Sequence, residues 1–453
     1  MRKKQKQDIL EILHTLHTAH GAVKNAVDKR NIQEACDILA ECQQAAVEIG
    51  TNIEQSEGEG HASVLCLEEY CETVFSVFEG VGKEGWSGSK SYRMLNRQLI
   101  KAENSIKNDI RAKKEAVFFP YKASMWDSLE SVYLARKADS EWDAYCVPIP
   151  YFELNQDRSF GAMHYEGGEY PKDIEVTDWQ EYGFEERLPD EIYIHNAYDD
   201  WNLVTSVHPR FYSGNLKKYT DMLVYIPYFV LGEADLDNQS AVDGIRHFVW
   251  LPGVVNADRV VVQSEKMKQI YVNVYLEEAK KRGLSGKHLD RKYLEEKISG
   301  AGSPKLDKLQ RTRKEDLEIP EDWQRIIKKP DGTDKKIIFY NTSISALLQN
   351  DKKMLEKMER AFEIFKEHKD DVALLWRPHP LIPSTIRAMR PRLWEQYCTI
   401  VERYRQEGWG IYDDSTDIDR AVVLSDAYYG DGSSVVELCK KRGMPIMIQN
   451  ADV

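Results

Sequence analysis

Over residues 1 to 113 apolar side chains recur at three- and four-residue intervals, the spacing of one face of an α-helix. Ile9, Ile12, Leu13, Leu16, Val23 and Val27 make a first stripe. Ile32, Cys36, Leu39, Ala46, Ile49 and Ile53 make a second, entered through Asn31 with Glu34 at capping-box spacing. Val64, Leu67, Cys71, Val74 and Phe78 form the third, and Tyr92, Leu95, Leu99, Ala102, Ile106 and Ile110 the fourth, with a glycine-rich turn from Val81 to Gly88 between them. Four amphipathic helices with short connections predict an antiparallel bundle over 1–113.

The period changes between Lys113 and Ala116. From there short strand-like runs alternate with helical patterns: Ala116–Tyr121, a helix near Met125–Arg136, then Ala144–Ile149, Glu191–His195, Met222–Pro227 and Arg259–Gln263. Such alternation implies βαβ units and a parallel sheet over 114–318, interrupted by an acidic, aromatic insertion at 153–190 that reads as loop and hairpin. After the charged, proline-containing segment Ile319–Lys336 a second unit begins, with strands at Lys336–Tyr340, Val372–Trp376, Gly410–Tyr412, Ala427–Tyr429 and Pro445–Ile448. The fold expected is α/β: two Rossmann-like domains, 114–318 and 319–453, facing across a cleft and preceded by the bundle. The chain stops shortly past its last strand.

The length of 453 residues suits about three domains, and 42% hydrophobic content is that of a globular chain. A net charge of −13 argues against a general affinity for nucleic acid or anionic lipid, so a phosphate ligand must be held by local charges. The basic start Met1–Gln7 is followed by Asp8, Glu11 and His14 rather than an apolar signal core, and no run approaches the ~18 apolar residues of a membrane span. A cytoplasmic protein is expected, with membrane contact at most peripheral, at the inner face. The seven cysteines form no CxxC pair and read as reduced packing residues.

Chemistry gathers at ends of predicted strands in the second half. Arg377 and His379 follow the buried-looking Leu374–Trp376, with Pro378 and Pro380 fixing the loop. A guanidinium suits bidentate phosphate binding, and an imidazole beside it can hydrogen-bond or protonate a leaving phosphate. The alternative is an arginine paired with a carboxylate and a histidine capping a helix. Asp431, Gly432, Ser433 and Ser434 open a helix running to about Arg442, where glycine admits a ligand and free amides face a phosphate, or where a serine is a simple cap. Thr342 and Ser343 carry the same two readings. His14, His17 and His20 repeat every third residue, and Asp235-Leu-Asp237 and Asp417-Ile-Asp419 are DxD triplets; these are weak metal signals, and no metal site is assigned.

Taken in order, these motifs resemble the CDP-glycerol glycerophosphotransferases that build teichoic-acid and related polymers, a family of GT-B architecture. Gly302, Pro304, Lys305 and Asp307 match its Gly-x-Pro-Arg-x-Asp element at the domain junction, with lysine for arginine. Asn341 and Thr342 match its Ala-Pro-Thr stretch loosely. Arg377, His379 and Pro380 match Arg-x-His-Pro, and Ser425, Asp426, Asp431, Ser433 and Ser434 match its Ser-Asp and Asp-Tyr-Ser-Ser elements. The resemblance covers roughly 190–453. It implies that His379 and the paired serines bind the donor's pyrophosphate and glycerol phosphate, with Arg377 and His379 offsetting charge as CMP leaves. It also implies no cofactor beyond the nucleotide-activated donor, CDP-glycerol by preference, and a polymer or lipid-linked acceptor.

Two departures stand out. The family's Trp-His-Gly-Thr element, whose histidine is its general base, corresponds here to Val224–Val230, which holds no histidine; His195, His208 and His247 are the nearest substitutes. The chain also ends before the family's usual end. A GT-B glycosyltransferase using a nucleotide sugar, or a non-catalytic nucleotide-binding scaffold, remains open beside the first reading. The bundle is expected to dock a protein partner or a second copy of the chain.

Overall fold

The computed structural model describes residues 1–449, so the last residues of the predicted third domain lie outside the described part. The chain divides into two compact units: Met1–Glu115 with Asp139–Asp143, and Ala116–Ala138 with Ala144 onward. Among the described residues no helix is long and apolar enough to cross a membrane.

The first unit is built on helices α1 (Lys3–Asp28), α2 (Ile32–Glu57), α3 (Ala62–Gly80) and α4 (Gly88–Asp109). Asn31 caps α2 by accepting from the Glu34 amide, and Ser87 caps α4 through the Lys90 amide. The buried stripe of α3 is rotated from the expected one. Tyr70 and Val77 are inside, while Phe78 is 46% exposed. Tyr70 faces inward because its hydroxyl finds a partner there: His20 Nε2 lies 2.7 Å away, and His20 Nδ1 lies 2.6 Å from Asn96. The histidines therefore do not converge on a metal, with His14 exposed, His17 beside Glu103 and His20 in the core.

The second unit holds strands β1 (Lys114–Phe119), β2 (Trp142–Cys146), β3 (Tyr151–Leu154), β4 (Phe160–His164), β5 (Glu191–Ile194), β6 (Thr205–Val207), β7 (Met222–Tyr225), β8 (Arg259–Val261), β9 (Ile298–Ser299), β10 (Lys336–Thr342), β11 (Val372–Pro378), β12 (Ile411–Tyr412), β13 (Ala427–Gly430) and β14 (Ile446–Ile448). Six make a sheet in the order β2-β1-β5-β7-β8-β9, and five a second sheet in the order β12-β11-β10-β13-β14. The second is parallel throughout. The insertion at 153–190 contributes β4 to a separate antiparallel sheet, β4-β3-β6, with residues 165–190 mostly irregular.

Alternation in the strands shows why helices cover both faces of the second sheet. Ile337, Phe339, Ala373 and Leu375 belong to one core, while Tyr340, Leu374 and Trp376 belong to another on the opposite side. Leu306 and Leu309, in the segment the sequence assigns to the preceding domain, are buried in the first of these two cores. The second unit thus has GT-B architecture, two parallel-sheet domains, and the bundle precedes it in the chain.

Candidate functional site

The carboxyl edges of the two sheets line a shared cleft. One hollow of about 190 Å³ lies between Lys122, Glu166 and Glu169 of the first domain and Arg377, His379 and Asp413–Thr416 of the second. A smaller one of about 70 Å³ adjoins it, bounded by Tyr228 and Lys305 on one side and His379, Ser434 and Val435 on the other. Both hollows are lined by Ser124, Arg377, Pro378, His379 and Pro380.

His379 is set by the backbone around it. Its amide donates to the Thr342 carbonyl at 2.9 Å, and its Nδ1 accepts the Leu381 amide at 3.1 Å. Nδ1 is therefore the unprotonated nitrogen, and Nε2 carries the proton on the ring's other side. Desolvation, with Lys122 and Arg377 adding like charge, lowers its pKa to about 4. At neutral pH it is an uncharged donor.

Ser433 ends its strand–loop segment in extended conformation and opens the helix Ser434–Lys441. Its hydroxyl does not cap that helix but donates to Asn341 Oδ1 at 3.1 Å, while Asn341 Nδ2 donates to the Arg377 carbonyl at 2.9 Å. The amides of Ser434 and Val435 consequently have no hydrogen-bond acceptor among the described residues, and both residues border the smaller hollow. These donors at a helix start favour an anion.

The remaining sequence-predicted residues brace this edge. Asp431 accepts the Ser343 amide at 2.7 Å and Lys357 Nζ at 2.7 Å, the lysine and aspartate being buried together. Ser343 caps the next helix through the Ala346 amide, and Thr342 Oγ1 faces Trp376 Nε1 in the core. Gly432 is exposed beside the helix start. Gly430 is irreplaceable on steric grounds: φ is +147°, and a Cβ would lie 2.4 Å from the Asn341 carbonyl oxygen.

Arg377 is in the cleft wall, but its guanidinium is engaged. Nη1 donates to Asp413 Oδ2 at 2.6 Å and Nη2 to the Ser415 carbonyl at 2.8 Å, so the carboxylate-paired alternative describes its resting state. At the domain junction Gly302 has φ +112° and Pro304 starts a helix. Lys305 Nζ bonds buried Asp127 at 2.5 Å, whereas Asp307 is exposed. Ser425 and Asp426 lie at the opposite, amino edge of β13, where Asp426 Oδ2 accepts the Ile337 amide. They precede the strand, and so stand away from the cleft.

The substitute histidines do not line either hollow. His195 is fully buried, its Nε2 accepting the Tyr121 amide and its Nδ1 close to the Met125 carbonyl, with pKa lowered to about 3 by burial. His208 accepts the Arg210 amide, and His247 packs on Phe248. Tyr228, within the Val224–Val230 stretch that holds no histidine, borders the smaller hollow, and burial holds its phenol well above the ordinary value. Sequence reading missed Asp413, Lys357, Lys122, Glu166 and Glu169. Lys357 had a signal, a charged residue in the Met354, Met358 and Ala361 stripe. Glu166 had none, since only tertiary structure brings it to Lys122 and Tyr151.

No family model matches this chain, and no curated protein sequence matches it. Among solved structures, it is similar to a UDP-N-acetylglucosamine 2-epimerase from Listeria monocytogenes at 15% identity and TM-score 0.42, over 74% of this chain and 79% of that one. It is similar to the UDP-GlcNAc 2-epimerase of Methanocaldococcus jannaschii at 12% and 0.42, over 74% and 83%. It is also similar to the wall teichoic acid polymerase TagF at 13% and 0.40, over 85% and 78%. At these similarities the functional reading stands on the cleft's own residues.

Proposed function

We propose that the chain is a transferase that moves glycerol phosphate, or a related polyol phosphate, from a CDP-activated donor to a hydroxyl of a cell-surface polymer or glycolipid. The observation that carries this reading is the convergence of the His379 Nε2–H and the free Ser434 and Val435 amides in one cleft between two parallel-sheet domains. Uncharged donors fixed before the ligand arrives stabilise charge as it builds on the leaving CMP without reorganising. Lys122, paired with Glu166, brings an ammonium to the facing wall of the cleft. The acceptor approaches from that side, and the donor is used on the cytoplasmic face.

A nucleotide-sugar donor is the second reading, favoured by the lack of a histidine in Val224–Val230, since a glycosyl donor needs no phosphorus-directed base and a phosphate clamp of this kind serves either donor. Thermal shift with CDP and UDP separates the readings. Ligand a hundredfold above its Kd stabilises the folded chain by about 2.7 kcal/mol. Stabilisation by CDP over UDP is expected; preference for UDP selects the glycosyl reading, and no response to either leaves a scaffold without catalysis.

A further inference from the structure

Transfer to a hydroxyl requires a group to take the hydroxyl proton as the new bond forms. None of His195, His208 and His247 reaches the cleft, and His379 has its basic nitrogen occupied by the Leu381 amide. Among the residues lining the larger hollow, the carboxylates are Glu166, Glu169, Asp413 and Asp414. Three are already engaged. Glu166 accepts from Lys122, Tyr151 and the Ala123 amide. Asp413 holds Arg377 and Ser415, and Asp414 pairs with Arg405. The Glu169 carboxylate has no hydrogen-bond or ion-pair partner among the described residues; only its backbone amide is engaged, by the Glu166 carbonyl.

We propose that Glu169 is the general base, and that the segment carrying it, residues 165–170 of the insertion with the short 3-10 helix Gly167–Glu169, forms the acceptor side of the site. This rests on the transferase reading above. Its position is suited to the task in three ways. It borders the hollow opposite His379, so an acceptor hydroxyl between them meets the donor phosphate on one side and a carboxylate on the other. It remains exposed, so a proton taken from the acceptor can pass to solvent. Partial burial and the neighbouring Glu166 raise its pKa, while Lys122 opposes them; Arg377, His379, Asp413 and Asp414 face it across the cavity. A carboxylate whose pKa is raised is a better proton acceptor than an ordinary one.

In the step, the acceptor oxygen attacks the glycerol-bearing phosphorus and its proton passes to Glu169. The bond from that phosphorus to the bridging oxygen breaks, and its electron pair leaves with CMP, whose charge meets the His379 Nε2–H and the Ser434 amide. Products are the phosphodiester, CMP and one proton released to solvent. With a nucleotide sugar the attacked atom becomes the anomeric carbon and the proton follows the same route.

The test is Glu169→Gln in the full chain, with calorimetric titration of CDP and UDP beside turnover of CDP-glycerol or UDP-N-acetylglucosamine, glycerol serving as acceptor. Expected are nucleotide affinity within about threefold of wild type, a fall in kcat of roughly 10² to 10⁴, and loss of the acid limb of the kcat–pH profile. Formate restoring turnover to Glu169→Ala would support the same role. Unchanged kcat with the acid limb intact overturns the inference alone. A wild type that binds neither nucleotide overturns the donor-site reading and this inference with it.

Discussion

The Arg377 guanidinium and the Asp413 carboxylate form an ion pair 2.6 Å long in the cleft wall, with 4% and 0% of their side chains exposed. The pair fixes the loop after β12 to the end of β11. Removing one member of a buried pair leaves an uncompensated charge, which costs about 3–5 kcal/mol, whereas replacing both by apolar groups is often neutral. Arg377→Ala is therefore expected to destabilise the fold by that amount, and Arg377→Met with Asp413→Leu to recover most of it in urea unfolding. A loss below about 1 kcal/mol for Arg377→Ala would show that Asp413 finds another partner.

His379 is expected to stay uncharged through the neutral range. Its folded pKa of about 4 lies below the ordinary 6.5, so its contribution to stability is fully present above pH 6.5 and is lost as pH falls through about 4. NMR titration of labelled histidine in the ligand-free chain, with His379→Gln to assign the signal, should show no movement of its resonance between pH 8 and 6. A midpoint near 6.5 would contradict the desolvated, amide-bound imidazole.

Asp419 titrates with the opposite sign. It is 2% exposed, neither oxygen has a hydrogen-bond partner among the described residues, and burial followed by Asp127 pushes its pKa up to about 7. Because the folded value is raised, its favourable contribution is complete below about pH 4 and is lost as pH rises through 7, at up to ~1.4 kcal/mol per pH unit. Asp419→Asn should gain on wild type from pH 5 to about pH 7 and level off by pH 8 in chemical unfolding. An equal difference at both ends would mean that Asp419 does not change charge on folding.

The sheet architecture was legible because strand and helix periods differ and both faces of a parallel sheet are apolar, so runs such as Leu374–Trp376 declare themselves. Arg377, His379 and Ser434 were legible because the carboxyl ends of such runs are where loops meet ligands. What escaped was set by long-range partnership. Whether Arg377 faces a phosphate or Asp413 depends on a loop 36 residues away. Ser425 and Asp426 looked like part of the site, yet lie before β13, because sequence order does not say which edge a polar pair occupies until the strand is bounded. Glu169 ends a one-turn 3-10 helix, Gly167–Glu169, too short to leave a period to read, and the Tyr70 rotation on α3 follows from a hydrogen bond to His20 rather than from hydrophobicity.

The central claim, that the helix start at Ser434 binds a donor phosphate through its free amides, is tested most directly by Ser434→Pro. Ser434 is the first helical residue, where proline is tolerated, and Ser433 before it is already extended, so the change deletes one N–H while keeping the helix. Calorimetric titration of CDP should give an affinity lower by roughly 10- to 150-fold, the value of one charge-assisted hydrogen bond, with unfolding temperature little changed. Binding equal to wild type in a folded Ser434→Pro variant would contradict the claim.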